Sequence, residues 1–258
     1  MNFIKKIDKL ILFGILKLIY NKLSFFFEKI YKKRFLNSFE YEQNNYYNFK
    51  DTLLSKLSDK YGCDKGYNVL ENRIFYNNWH PHNYTDYYSS LFDHTRENIK
   101  KVFECGIGTN NINIPSSMGK DYVPGASLKI WRDYFPNANI YGADIDTNIL
   151  FESERIKTFY VNQLEKNEIE RMWNNIGTNN FDLMIDDGLH SLEAGICLFE
   201  NSYDKLREGG IYIIEDVDPS YLNDLSKHLM NKNQIEVITL KSKKHIFMKD
   251  NNLIIIRK

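Results

Sequence analysis

Residues 181–216 of the 258-residue chain read FDLMIDDGLHSLEAGICLFENSYDKLREGGIYIIED. This stretch contains two short apolar runs, and each run ends in a pair of acidic residues. The first pair is Asp186 and Asp187, and the second pair is Glu215 and Asp216. A segment of helical character separates the two runs, as a crossover between parallel strands requires. We therefore predict two neighbouring parallel strands whose acids lie at one edge of a sheet, where open α/β sheets bind ligands.

The same alternation of apolar runs and helical segments extends through most of the chain. Gly209-Gly210 is predicted to end the helix between the two acidic pairs, since glycine commonly follows a helix. Further strands are predicted at 102–103, 139–146, 155–163, 235–240 and 253–258. Helices are predicted within 79–100, 127–135, 164–176 and 221–231. The pattern indicates an α/β fold with a doubly wound, mostly parallel seven-stranded sheet and an antiparallel C-terminal edge strand.

The first 37 residues differ from the rest of the chain in charge. They contain nine Lys or Arg residues against two acids, a net charge of +7, whereas the whole chain has 34 basic and 34 acidic residues. Apolar and basic residues recur here at helical spacing, which fits either a helix on an anionic membrane surface or a helix packed on protein. We predict a basic amphipathic helical extension over 1–56 and a larger domain over 57–258.

Composition narrows the class of protein. A net charge of zero argues against a nucleic-acid-binding protein, which is usually basic. Cys63, Cys105 and Cys197 form neither a zinc-binding pattern nor a disulfide framework, so a reducing cytoplasm is the expected location. No apolar run is long enough to span a bilayer, and no secretory signal is evident. If residues 1–37 bind lipid, the protein would lie at the inner face of the membrane.

Acids and a histidine at the predicted sheet edge suggest metal-assisted chemistry. Asp187, Glu215 and Asp216 would repel one another if their strands are adjacent, and a hard divalent cation such as Mg²⁺ relieves that repulsion. His190 follows Asp187 closely and has a side chain suited to general-base work. The alternatives are that His190 is a capping or surface residue and that Glu215-Asp216 only begins a helix. The coincidence of all four residues favours the functional interpretation.

A second group of residues suggests a cofactor site. The motif Glu104-Cys-Gly106-x-Gly108 follows a strand, where glycine allows the backbone to approach a ligand closely. Asp144 ends the next strand and can accept ribose hydroxyls, and Ser127 lies near a helix start that suits an anion. The glycines are also consistent with a simple strand-to-loop turn, and Asp144 with an exposed turn acid. Thr85 is a candidate helix cap, and His80 and His82 are candidate pocket-lining residues.

Several motifs together resemble the class I S-adenosylmethionine-dependent methyltransferases, and among them the macrocin and mycinamicin sugar O-methyltransferases. The matching pieces are KYGCDKG (60–66), HNYTDYYSSLF (82–92), FECGIGT (103–109), GASLKIWRDYFPNANIYGADID (125–146), VNQ (161–163), IDDGLH (185–190) and GGIYIIEDV (209–217). They cover roughly residues 57–258. Cys63 and Cys105 depart from the usual residues of the family, although neither departure affects the expected chemistry.

The resemblance implies a Rossmann-like methyltransferase fold and a set of site residues. It implies Mg²⁺, or another hard divalent cation, bound by Asp187, Glu215 and Asp216, with His190 as the catalytic base. It implies S-adenosyl-L-methionine close to Tyr84, Glu104, Gly106, Ser127, Asp144, Gln163 and Asp186. The metal ligands and the base agree with the assignment made from the residues alone.

The function expected from these features is methyl transfer to a hydroxyl of a sugar or glycan-type acceptor, in surface-polysaccharide or natural-product biosynthesis. One alternative keeps the fold and methylates nitrogen or a phosphate-type oxygen, or is a hydroxylase-like relative. A non-enzymatic alternative is a membrane-surface scaffold that uses residues 1–37. The expected partners are a small-molecule or glycan acceptor and a second copy of the chain, with no nucleic acid.

Overall fold

A computed structural model describes residues 51–66, 81–230, 234–240 and 250–258. Residues 1–50 of the predicted extension lie outside these residues, as does His80. Within them, the strands are β1 (Lys101–Cys105), β2 (Asn139–Asp144), β3 (Glu152–Ser153), β4 (Ile156–Tyr160), β5 (Phe181–Asp186), β6 (Leu206–Ile214), β7 (Gln234–Thr239) and β8 (Asn252–Arg257). The α-helices are α1 (Leu53–Tyr61), α2 (Tyr84–Phe92), α3 (Ala126–Tyr134), α4 (Lys166–Ile176), α5 (Leu192–Glu200) and α6 (Pro219–Met230). The predicted boundary between residues 56 and 57 falls inside α1.

The strands of the described ranges form one sheet in the order β3-β4-β2-β1-β5-β6-β8-β7. The pairs β1/β2, β1/β5, β2/β4 and β5/β6 are parallel. The pairs β6/β8, β7/β8 and β3/β4 are antiparallel. The predicted α/β class and mostly parallel sheet are therefore confirmed.

Two details of the predicted sheet were wrong. Within the described residues the sheet has eight strands instead of seven, because the two-residue β3 forms a short hairpin with β4. The C-terminal strand is antiparallel as predicted, but it lies between β6 and β7, so β7 forms the edge. Residues 253–256 of β8 are all buried, as expected for a strand covered on both faces.

The predicted role of Gly209-Gly210 was also wrong. Helix α5 ends at Glu200, and both glycines lie within β6. The β5/β6 pairing shifts register here: Phe181 pairs with Leu206, while Leu183 pairs with Ile211. Gly209 has φ +70°, a conformation that glycine adopts without steric cost. The glycines therefore form a bulge that accommodates the extra residues of β6.

Helices cover both faces of the sheet. Val102 lies in the apolar cluster beneath α1, α2 and α3. The next residue, Phe103, packs on Trp173 of α4 on the opposite face, with ring centroids 4.6 Å apart. Adjacent strand residues point to opposite faces. Alternate residues along a strand therefore pack against different layers of helices. None of the helices in the described ranges has both the length and the apolar character needed to cross a membrane.

Candidate active site

A cavity of about 260 Å³ opens at the carboxyl ends of the parallel strands. Seven of the predicted site residues border it: Gly106, Ser127, Asp144, Gln163, Asp187, His190 and Asp216. The other four, Tyr84, Glu104, Asp186 and Glu215, are buried behind its wall. The predicted residues therefore form one site in two layers, of which the inner layer borders the cavity.

Two aspartates and His190 converge at one side of this cavity. His190 Nε2 lies 4.0 Å from Asp187 Oδ1 and 4.0 Å from Asp216 Oδ2. One donor atom from each of these residues falls within 4.8 Å of the others, which is compatible with ligands sharing one metal ion. The structure thus brings together three of the four residues assigned to metal binding and base catalysis.

His190 and Asp216 both have unfavourable backbone conformations. Their φ angles are +55° and +52°, in the left-handed region. This conformation costs a residue other than glycine about 1–2 kcal/mol. Such conformations persist where the surrounding structure holds them, and they cluster at functional sites. The strain is therefore consistent with a site in which the side chains are held in place at the cost of a higher-energy backbone conformation.

Glu215, the remaining predicted metal ligand, faces a different environment. Its Oε2 accepts a hydrogen bond from Lys65, and its Oε1 accepts one from the Tyr88 hydroxyl. In the described structure Glu215 is therefore engaged by a lysine and a tyrosine instead of joining the cluster around His190.

Lys65 is a site residue that sequence reasoning missed. Its Nζ lies 2.6 Å from Asp187 Oδ2 and 3.3 Å from Glu104 Oε1, and its side chain is only 3% exposed. Burial opposes the charge, but Asp187 and the neighbouring glutamates outweigh it and hold the pKa of Lys65 well above its usual range. Its signal in the sequence is the KYGCDKG motif (60–66), in which Lys65 is the second of two lysines.

Helix α2 presents two tyrosines to the second acidic pair. Residues four apart lie on the same helix face, and Tyr84 and Tyr88 use this spacing. The Tyr84 hydroxyl donates to Asp216 Oδ1, and the Tyr88 hydroxyl donates to Glu215 Oε1. Tyr84, predicted as a cofactor-binding residue, therefore has its hydroxyl on a carboxylate.

The helix cap also differs from the prediction: Asn83, not Thr85, precedes the first turn.

His82 lies behind Asp216 instead of lining the cavity. Its Nε2 is 3.3 Å from Asp216 Oδ1, and its Nδ1 is 3.0 Å from Asn251 Oδ1. The Asn251 amide nitrogen donates to the Leu240 carbonyl, which fixes its oxygen toward His82. Both ring nitrogens therefore face acceptors, as in an imidazolium. Burial disfavours this charge, but Asp216 and Asp64 raise the pKa of His82 above its ordinary value.

Contacts within the protein explain the conformation of the loop after β1 that contains Gly106 and Gly108, here called the glycine loop. Gly106 has φ +85°, and a Cβ added there would lie 1.9 Å from the Asp187 carbonyl oxygen. The glycine is thus needed because the loop after β1 touches the loop after β5. Asp144 accepts hydrogen bonds of 2.9 Å from the amides of Ile107 and Asp146, so its carboxylate also holds this loop in place.

Glu104 and Ser127 connect the glycine loop to helix α3. The Ser127 hydroxyl donates to Glu104 Oε2 at 2.6 Å, and the Trp131 indole donates to the same oxygen at 3.1 Å. The residue preceding the helix is Gly125, so Ser127 lies in the first turn. Ser127 borders the cavity with Glu104 directly behind it.

Comparison with known proteins identifies the fold and the relatives. No protein-family model matches the chain. The solved structure of MycE, a methyltransferase from the mycinamycin biosynthetic pathway in complex with Mg and SAH, superposes with a TM-score of 0.57. The match has 22% identity and covers 82% of this chain and 56% of MycE. The chain therefore has the Rossmann-like methyltransferase fold.

The curated relatives are sugar O-methyltransferases. The chain is 29% identical over 168 residues to the 8-demethyl-8-alpha-L-rhamnosyl tetracenomycin-C 2'-O-methyltransferase of Streptomyces olivaceus, covering 65% of this chain and 38% of the relative. It is 30% identical over 140 residues to the mycinamicin VI 2''-O-methyltransferase of Micromonospora griseorubida, covering 54% and 33%. The matched region thus spans only 38% and 33% of the length of these two relatives. They confirm the resemblance that the motifs indicated.

Proposed function

We propose that the chain is an S-adenosylmethionine-dependent O-methyltransferase that acts, with a divalent cation, on a sugar hydroxyl. The observation that carries this proposal is the convergence of Asp187, His190 and Asp216 beside a cavity at the carboxyl edge of a methyltransferase sheet. The methyltransferase relatives support the reaction class.

The donor set fits a hard divalent cation. One oxygen of Asp187 and one of Asp216 lie within 4.8 Å of each other, and carboxylate oxygens are the ligands that Mg²⁺ prefers. Glu215 is the third proposed ligand and would exchange its contact with Lys65 for the cation. The three free cysteines in the described residues do not join this cluster, so it lacks the thiolates that favour zinc.

The cavity lining fits the proposed cofactor. The polar residues Ser127, Asp144 and Gln163 line the cavity together with apolar residues such as Ile145 and Leu164. This mixture suits a ligand with an apolar ring and several polar groups. We propose that Gly106, Ser127, Asp144 and Gln163 contact the cofactor, and that Tyr84, Glu104 and Asp186 contribute from behind the wall.

His190 has the central role in the proposed reaction. Its Nε2 accepts the proton of the acceptor hydroxyl, and the nearby aspartates orient that hydroxyl at the cavity. When bound, the divalent cation would make the hydroxyl more acidic, and S-adenosylmethionine would supply the methyl group and leave as S-adenosylhomocysteine. The protein otherwise acts by positioning, which can supply much of the rate enhancement.

The proposal extends to the class of acceptor. Two of the relatives are named for the methylation of a rhamnosyl tetracenomycin-C and of an L-olivosyl-oleandolide. We propose a deoxysugar or related glycoside of a natural product, with a sugar of a surface polysaccharide as the alternative acceptor. The two differ in what the sugar is attached to, so an acceptor panel separates them.

The test is an assay with methyl-labelled cofactor and a panel of nucleotide sugars, natural-product glycosides and oligosaccharides. We expect label in a sugar ether, loss of activity with a chelator, and recovery on addition of Mg²⁺. Label on nitrogen or phosphate would contradict the proposed acceptor chemistry. Full activity in the chelator would contradict the role of the metal, and no cofactor binding by calorimetry would contradict the enzyme itself.

A further inference from the structure

Gln163 uses both ends of its side-chain amide to hold one turn of the chain. Its Nε2 donates to Asp186 Oδ1 at 2.6 Å, and its Oε1 accepts from the Leu189 amide at 3.0 Å. A backbone N–H can only donate, so the Leu189 contact fixes the orientation of the amide. Gln163 therefore links the last residue of β5 to a backbone amide three residues later.

The turn leaves room for this amide only because residue 188 is glycine. A Cβ on Gly188 would lie 2.2 Å from Gln163 Oε1. Gln163 and Asp186 are both buried, with exposed fractions of 6% and 3%. The glutamine side chain thus fits closely against the turn that connects Asp187 to His190.

The remaining contacts of the turn hold its other side. The Asp187 amide donates to the Cys105 carbonyl at 2.8 Å, and the Ser116 hydroxyl donates to the Leu189 carbonyl at 3.3 Å. Leu189 is therefore held through both of its peptide groups, immediately before His190. Since His190 has φ +55°, its conformation depends on such external contacts.

We infer that Gln163 is a positioning residue that fixes the turn 186–190 and thereby places His190 for proton transfer. The assignment of proton transfer to His190 rests on the proposed function, but the placement of His190 can be measured without catalysis. It gives Gln163 a role beyond cofactor contact. The two roles predict different consequences when Gln163 is changed.

Two substitutions remove the contacts in different ways. Gln163→Met keeps a similar length but loses both hydrogen bonds. Gln163→Glu keeps an acceptor for Leu189 but turns a second acceptor toward Asp186, where two ionised carboxylates repel. Asn175→Asp is the matched control, because it makes the same amide-to-carboxylate change at an exposed position of α4. Thermal unfolding with and without S-adenosylhomocysteine establishes that each variant is folded.

The measurements are kcat and KM, calorimetric Kd for S-adenosylhomocysteine, and the imidazole NMR signal of His190, assigned with His190→Ala. We expect both Gln163 variants to lower kcat about tenfold or more, shift the His190 signal, and change Kd less than about threefold. The control should change none of these. A tenfold rise in Kd with an unmoved His190 signal would overturn the inference and leave Gln163 as a cofactor contact. If the wild type transfers no methyl group, the proposed function fails, and the His190 signal still decides whether Gln163 positions the turn.

Discussion

The ammonium group of Lys65 lies 2.6 Å from Asp187 Oδ2, although 122 residues separate the two in the chain. The same ammonium contacts Glu104 and Glu215, so one buried cation serves three buried or partly buried carboxylates. Taking such charges out of water is costly unless they are paired. The acid cluster therefore depends on a residue that lies outside the sheet.

Replacing Lys65 by Met should strongly destabilise the fold. The change leaves the carboxylates without their common partner, and breaking a buried ion pair from one side costs about 3–5 kcal/mol. Denaturant unfolding at pH 7 measures the difference. Lys60→Met is the control, because Lys60 also pairs with an aspartate, Asp133 at 3.1 Å, but at the surface. Equal losses for the two variants would show that burial of Lys65 has no special importance.

His190→Ala should reduce kcat about a hundredfold or more, because general-base catalysis typically contributes that much. Binding of S-adenosylhomocysteine should change little, since the proposed base is not needed to hold the cofactor. The matched control is His228→Ala, which removes an exposed histidine paired with Glu200. A variant that retains full turnover would rule out the assignment of His190 as the base.

Gly106→Ala should be much more harmful than Gly177→Ala, although both glycines have positive φ angles of +85° and +65°. At Gly177 the nearest atom to an added Cβ is 3.9 Å away, so the substitution costs only the left-handed conformation, about 1–2 kcal/mol. At Gly106 the Cβ would also collide with the Asp187 backbone, and overpacking adds about 1–3 kcal/mol. Thermal unfolding and cofactor binding measure both effects. Similar behaviour of the two variants would contradict the close contact of the loops.

Asp133 should contribute stability that depends on pH. Burial opposes its ionisation, but hydrogen bonds from Tyr61, Lys60 and Arg132 prevail and lower its pKa from 3.8 to about 2. A lowered pKa gives stability that is present above the unfolded value and is lost as pH falls through the folded value. Because the group is partly exposed, we expect on the order of 1 kcal/mol.

The stability difference between wild type and Asp133→Asn tests this contribution. It should be constant near pH 6 and fall by about half by pH 3, which unfolding curves at several pH values can follow. Asp204→Asn, at an exposed aspartate paired only with Lys205 among the described residues, is the control. A difference that grows as the pH falls would contradict the direction of the shift.

The parts of the structure that follow from local pattern were predictable. Apolar runs of three or four residues that lead into Asp144, Asp186 and Glu215 place acids at one edge, because parallel strands end together. Lys65 and His82 could not be assigned in this way. They come from segments before the first strand, and only the packing of α1 and α2 against the sheet brings them to the acids. The orientation of the Glu215 side chain could not be predicted either, because it depends on the hydrogen bond from Tyr88.

The short hairpin β3/β4 and the bulge at Gly209-Gly210 were missed for another reason. A two-residue strand has no periodicity to detect, and a Gly-Gly pair after a helical pattern has the same appearance whether it ends a helix or bends a strand. Only the pairing of Leu206 with Phe181 and of Ile211 with Leu183 distinguishes the two cases.

Asp186 and Asp187 are adjacent in the chain, but their side chains belong to different hydrogen-bond networks. Asp186 continues the face of Met184 and meets Gln163, whereas Asp187 continues the face of Ile185 and meets Lys65. The two acids thus join two polar networks from opposite faces of the sheet. Deletion of a single residue within β5 would turn each acid to the opposite face of the sheet and disrupt both networks at once.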